Sequence, residues 1–189
     1  MRQWQPDQGP QELDEVYADL PPAGRDRWVA MNMVASVDGV IAVDGVSGGL
    51  GGEGDLAGFR ALRAAVDVVL VGAGTARAEG YGPAKVRAAA RERRLARGQA
   101  ERPAVAVVSR SLDLTGAERL LEGDGRVLVV TSADAPSDRR AELERRGVEV
   151  VDTGKEAVDL AAGLHALADR GLGRVLCEGG PTLLDELVA

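Results

Sequence analysis

The feature that most constrains this chain is its rhythm: short runs of consecutive apolar residues recur along 189 residues, separated by stretches long enough to hold a helix. A run that is apolar at every position has no face to give to water, so it suits a strand covered on both sides, as in a parallel sheet. Trp28–Ala35 is the first such run, and Asp67–Val71, ending at Gly72, is the second. Ala104–Val108, Arg126–Val130, Val148–Val151 and Arg174–Cys177 follow. The intervening segments predict helices. One starts at Asp55 as cap, with Leu56, Phe59 and Leu62 at helical spacing; others cover Ala135–Arg146 and Glu156–Arg170, and a last one opens at Pro181 and runs to Leu187. Gly147 and Gly171 stand where a helix ends in a left-handed residue, and Pro181 stands in a first turn, where its missing N–H costs nothing. Strands joined through helices pair in parallel, so the predicted fold class is α/β: three layers, a mostly parallel sheet with helices on both faces.

At 45% apolar content the chain can fill one core of this kind. Residues 1–26 carry Pro6, Pro10, Pro21 and Pro22 among polar residues and read as an N-terminal arm, with residues 27–189 as a single domain. Lys and Arg total 23 against 30 Asp and Glu, so the net charge of −7 argues against nucleic acid or an anionic membrane surface as partner. Arg87, Arg91, Arg93, Arg94 and Arg97 are a local exception; their helical spacing among Ala and Glu predicts a solvated face on an exposed helix and loop over 84–102. A single cysteine, Cys177, excludes an intramolecular disulfide and suits a reducing compartment; with no apolar leader after the first charges, the predicted location is cytoplasmic. No Cys/His cluster has ligand spacing, so no metal is expected. Cys177 reads as a buried strand residue and His165 as a surface or boundary position in mid-helix.

In an open parallel sheet, ligands bind outside the carboxyl ends of the strands. Three stretches fall there. Gly72-Ala73-Gly74-Thr75 follows a strand, and its glycines let backbone approach a phosphate or ribose, although such a sequence is also a common turn. Glu178-Gly179-Gly180-Pro181-Thr182-Leu183 runs from a strand through two glycines into a helix N-terminus, suited to a pyrophosphate or to a plain tight turn. It is neither the G-x-G-x-x-G fingerprint nor a Walker loop. Ser109-Arg110-Ser111 places a cation and two hydroxyls at a strand end, where they can clasp the 2′-phosphate of NADP or stay solvated.

The order of the blocks VAMNMVASVDGVIA (29–42), VDVVLVGAGTARAEGYG (66–82), VAVVSRSLDL (105–114) and VLCEGGPTLL (175–184) resembles the pyrimidine reductase family, the reductase domain of riboflavin biosynthesis. The resemblance covers residues 28–189. It implies a homodimeric, dihydrofolate-reductase-like domain that binds NADPH in an extended groove and reduces a small heterocyclic substrate. By that analogy Gly72, Gly74 and Thr75 line the cofactor, Ser109 and Arg110 approach its adenosine phosphate, and Gly179, Gly180, Pro181, Thr182 and Leu183 hold the pyrophosphate. Ser36-Val37-Asp38-Gly39 matches the family's S-x-D-G turn near the nicotinamide, and Asp38 also suits a purely structural Asx turn. Asn32, Asp38, Glu79 and Glu178 are the polar groups expected nearest the reacting centre, and Arg63 stands at the family's substrate-binding arginine position in the first helix.

The chain departs from the pattern at several substrate positions. A lysine of the first strand is Asn32, and a Trp-(Ile/Leu)-(Ser/Thr) segment reads Gly49-Leu50-Gly51. The Asp-Pro-x-Leu-Thr-x-Arg run begins at Glu79, and its terminal arginine position is Val86, with Lys85 and Arg87 as replacement cations. These changes keep two other readings open: a dihydrofolate or dihydropteridine reductase of the same fold, and a non-catalytic NADP-binding protein. The H-x-E and P-C-x-x-C motifs of the zinc deaminase that accompanies some family members are absent from the sequence. Because the resemblance implies further strands after the Gly-Gly-Pro-Thr helix, the chain is expected to be C-terminally incomplete.

Overall fold

The computed structural model describes residues 13–17 and 27–189, so most of the predicted N-terminal arm lies outside the described residues. The described part of the arm is a helical turn, α1 (Leu13–Val16), and Tyr17 after it packs partly buried against Leu62, Val66 and Leu176. The strands are β1 (Trp28–Met31), β2 (Val68–Gly72), β3 (Ala104–Val108), β4 (Val127–Thr131), β5 (Glu149–Asp152) and β6 (Arg174–Cys177). The helices are α2 (Glu53–Ala65), α3 (Ala73–Ala78), α4 (Ala88–Ala96), α5 (Ser137–Arg145), α6 (Leu160–Ala168) and α7 (Pro181–Val188), with a 3-10 turn at Glu118–Leu121.

The six strands form one sheet in the order β1-β6-β2-β3-β4-β5, every neighbouring pair parallel. Alternation along the strands divides the core into two layers. Val69, Val71, Val105, Val107 and Val129 face one side, against Leu120 and the α5 residue Leu143. Val68, Leu70, Ala106, Leu128 and Val175 face the other, against Leu167 of α6 and Leu183 of α7. Val66, Leu62 of α2 and Leu176 of β6 extend the first layer over β1. Val68, Val69 and Val71 are 0% exposed, and full burial of such a side chain contributes about 1.5–3 kcal/mol, which is why β2 and β3 carry no polar side chain. The predicted three-layer α/β fold is the one observed.

Differences from the sequence reading have local causes. The first strand ends at Met31 rather than Ala35, because its one partner, β6, ends at Cys177 and its chain turns toward β2; only the Asn32 amide follows, donating to Cys177 O. The first long helix starts at Glu53 behind Gly52, so Asp55 lies in its first turn instead of capping it. The α6 helix starts later than predicted because Asp159 caps it, Oδ1 accepting from the Ala162 amide. A short helix, α3, replaces the predicted turn after Gly72.

The arginine-rich stretch is also corrected. Arg94 does not face solvent: it is fully buried, and its guanidinium donates to Val66 O at 2.6 Å, Ala64 O at 3.2 Å and Ala100 O at 2.9 Å. It thereby satisfies carbonyls that the end of α2 leaves without helical partners. Burial lowers its pKa to about 10, so it remains a cation near neutrality. At the same edge Arg174 is bidentate on Asp67, which also accepts from Gln99, tying the start of β2 to β6.

Candidate active site

The chain leaves β1, passes to β2, and fills the gap between them only later, with β6. Helices departing from neighbouring strands diverge at such a reversal and leave a crevice at the carboxyl edge. A cleft of about 840 Å³ opens there. Of the residues singled out in the sequence, it is lined by Asn32, Arg63, Gly74, Thr75, Glu79 and Glu178, and by the Gly179-Gly180-Pro181 turn.

Glu178 follows the last residue of β6, so the ladder aims it into the cleft, and its amide still donates to Leu70 O of β2. Both its carboxylate oxygens are taken. Arg63 Nε donates to Oε1 at 2.7 Å, Arg63 Nη2 to Oε2 at 2.6 Å, and the Tyr81 hydroxyl to Oε2 at 2.7 Å. The Arg63 guanidinium also lies over the Phe59 ring, 4.1 Å from its centroid, where cation–π attraction adds to the pairing. Burial works against the Arg63 charge, but the hydrogen bonds and charge of Glu178 outweigh it and hold the guanidinium above its ordinary pKa. Burial, then the Glu178 carboxylate, push the Tyr81 phenol far above its usual range, so Tyr81 is a neutral donor. Sequence reading found Arg63 and Glu178 but not their mutual bond, and it missed Tyr81.

The glycine turn is built by close approach. Gly72 N–H donates to Gly179 O at 2.8 Å, extending the β2–β6 ladder past the strand ends. Gly179 has φ +106, and the Gly179–Gly180 peptide is cis. A Cβ on Gly180 would sit 2.6 Å from Thr75 Oγ1, so that position has no room for a side chain, whereas at Gly179 it is the left-handed backbone that favours glycine, a Cβ there meeting Met33 Sδ at an ordinary 3.4 Å. The helix α7 then begins at Pro181, and its first ladder bond runs from the Leu184 amide to Gly180 O. The amides of Thr182 and Leu183 therefore precede the ladder, while the Leu183 side chain is buried in the core.

The remaining candidates are dispersed. Glu79 Oε1 accepts from the amide and hydroxyl of Ser47 at 2.7 and 2.8 Å, which pins the 43–50 loop to the cleft. Asp38 stands in an exposed turn outside the cleft lining, where the Ser36 hydroxyl donates to it and holds its carboxyl below the usual range. Gly72, Ser109, Arg110 and Thr182 are also not in the cleft wall. Ser109 follows β3, 5% exposed, with a hydroxyl that lacks a partner among the described residues; Arg110 beside it is exposed. Thr131 and Ser132, at the end of the neighbouring β4, also bury hydroxyls without partners. Cys177 is buried in β6 and its thiol pKa is raised by that burial, while His165 is exposed on α6. Among the described residues no group of three His, Cys, Asp or Glu side chains is arranged to hold a metal, and no helix is long and apolar enough to cross a membrane.

Comparison with known proteins agrees with this architecture. Residues 27–189 match the RibD C-terminal domain family. The chain is 32% identical over 163 residues to the 2,5-diamino-6-ribosylamino-4(3H)-pyrimidinone 5′-phosphate reductase of Archaeoglobus fulgidus, covering 86% of this chain and 74% of that protein. It is 31% identical over 176 residues to the riboflavin biosynthesis protein RibD of Chlamydia muridarum, 90% of this chain but 46% of that one. The crystal structure of a pyrimidine reductase-like protein from Corynebacterium diphtheriae superposes with a TM-score of 0.74 at 26% identity, covering 94% of this chain and 76% of that chain. The chain belongs to the RibD C-terminal domain family and has its dihydrofolate-reductase-like α/β fold.

Proposed function

We propose that the chain is the pyrimidine reductase of riboflavin biosynthesis, using NADPH to reduce a ribosylaminopyrimidine 5′-phosphate to its ribitylamino counterpart. The observation that carries this reading is the Gly179–Gly180 turn. It is closed to a side chain at Gly180 by Thr75, opens onto the cleft, and leads into the first amides of α7. Those amides and the helix dipole suit a pyrophosphate. Exposed Arg110, next to Ser109 at the end of β3, suits the adenosine phosphate of a dinucleotide lying along the carboxyl edge. The residues present therefore fit the cofactor.

NADPH, when bound, supplies a hydride, and the protein supplies position and charge. A ribosylamine opens to an imine, and hydride delivered to its C1′ with a proton to nitrogen gives the ribitylamine. In this reading Asn32 and Glu79 face the pyrimidine and sugar. Glu178, already saturated by Arg63 and Tyr81, acts as a positioning residue that fixes the cleft floor. Asp38 serves by shaping the turn after β1. The enzyme is cytoplasmic, in keeping with its lone buried thiol. It dimerises, as the resemblance implies, with the β1 edge, where Met31 is 44% exposed, as the face that a second copy covers.

Cofactor choice tests the assignment. NADPH is expected to bind about ten- to a hundred-fold more tightly than NADH, and Arg110→Ala to erase that preference, the size of a charge-assisted contact to the 2′-phosphate. Equal affinities in the wild type would remove NADPH from the account; a preference that survives Arg110→Ala would remove only this residue.

A further inference from the structure

We propose that a pocket at the amino edge of the sheet is a second ligand site, which takes a small phosphate monoester bearing hydroxyl groups, of the sugar-phosphate class. The inference goes beyond the reductase reading and does not depend on it. The pocket has a volume of about 830 Å³ and is walled by the starts of β1, β3, β4 and β6, the loop after α4 and the carboxyl end of α6. It is set apart from the cleft: Arg174, the first residue of β6, lines this pocket, whereas Glu178, just past the last, lines the cleft. Seven arginines reach its wall against two carboxylates, Asp67 and Asp169. Asp124 and Glu149 pair with Arg102, Arg126 and Arg170 from outside the wall, which raises the carboxylates to four and leaves an excess of three positive charges among the described residues. In a chain of net charge −7, such an excess in one concavity focuses a positive potential on whatever enters it.

The fold does not use all of this charge. Arg27 is exposed and pairs with no described residue. Arg174 meets Asp67 through Nε and Nη2, and its Nη1 has no partner among the described residues. Burial lowers the pKa of Arg94; Asp67 raises it, and the like charges of Arg97 and Arg174 lower it again. An anion seated among these groups would relieve their repulsion. The wall also holds an unmet acceptor. Gln99 is 7% exposed, and its Nε2 donates to Ala65 O at 3.1 Å and to Asp67 Oδ1 at 2.9 Å, which fixes the amide with Oε1 turned from both. That Oε1 is buried and has no partner among the described residues. Buried acceptors are nearly always paired, so this one marks a place for a donor. A sugar phosphate supplies both partners, phosphate oxygens for the guanidinium groups and a hydroxyl for Gln99. The size of the concavity suits a small molecule, and the acidic remainder of the chain disfavours a nucleic-acid strand.

A local reporter tests the site in the intact chain. Of its two tryptophans, Trp28 lines the pocket, and Trp4→Phe identifies the Trp28 indole N–H resonance. Titration with ribose 5-phosphate at low salt should move that resonance saturably, and added salt should weaken the binding. Sulfate, which matches the charge but has no hydroxyl, should bind about tenfold more weakly. Arg27→Gln/Arg102→Gln removes two cations that the fold can spare, Arg102 being paired only with the exposed Asp124. It should melt like the wild type and bind ribose 5-phosphate about ten- to a hundred-fold more weakly, with Arg27→Gln alone giving about a tenfold loss. A Trp28 resonance that ribose 5-phosphate leaves in place, or an affinity unchanged in both variants, would overturn the site. Equal affinity for ribose 5-phosphate and sulfate would overturn the sugar phosphate as its ligand. So would a single-stranded oligonucleotide that displaces ribose 5-phosphate at lower concentration.

Discussion

Glu178 shows what one residue does in this fold. Its side chain is 2% exposed and that of Arg63 15%, so the pair lies almost wholly out of water. Removing one partner of such a pair strands a buried charge, whereas replacing both by apolar residues is often neutral. Arg63→Ala is accordingly expected to cost about 3–5 kcal/mol in denaturant unfolding. The double variant Arg63→Met/Glu178→Leu should recover most of that stability and still lose reductase activity. Activity retained in the double variant would show that the pair only holds the fold. The pair spans 115 positions of sequence, and Tyr81 joins it from 97 positions away. That distance is why sequence reading named the ends and missed the connection: residue type is local information, and pairing across a sheet edge is not. Arg94 departs from the predicted solvated face for the same reason, since spacing on a helix marks the face but not the carbonyls, here those of Ala64 and Val66, that the face meets.

Among elements, those whose burial leaves a pattern in the chain were legible. Val68–Val71, Ala104–Val108 and Val127–Val130 are apolar at each position because both sheet faces are covered, and the sequence shows that directly. The α3 helix left no such trace: Ala73-Gly74-Thr75-Ala76-Arg77-Ala78 is short, contains glycine, and is held in place by packing rather than by propensity. Its placement matters because it brings Thr75 against Gly180. Gly180→Ala should clash with Thr75 Oγ1, costing about 1–3 kcal/mol of stability and weakening NADPH binding at least about tenfold. Adding Thr75→Ala removes the clashing oxygen and leaves the nearest atom, Cβ, at 4.0 Å, so the melting temperature should return. Thermal melts and cofactor titration of the single and double variants check this. Normal NADPH binding by Gly180→Ala would place the pyrophosphate elsewhere.

At the scale of the whole molecule, the two edges of the sheet do different work. The amino edge is stitched by arginines: Arg94 on the end of α2, Arg174 on Asp67, and Arg126 and Arg170 together on Glu149. The carboxyl edge carries the cleft, the glycine turn and the buried hydroxyls of Ser109, Thr131 and Ser132, which have no partner among the described residues. This division is what the order β1-β6-β2 produces, and it makes hydride transfer into the cleft the central claim. The most direct test is isotopic. The protein would be incubated with NADPH carrying deuterium at nicotinamide C4, in the transferred position, and with 2,5-diamino-6-ribosylamino-4(3H)-pyrimidinone 5′-phosphate, and the product examined by mass spectrometry and NMR. The expected result is a ribitylamino product with one deuterium, located at C1′. A deuterium found on the pyrimidine ring, or cofactor and substrate both recovered unchanged, would contradict it.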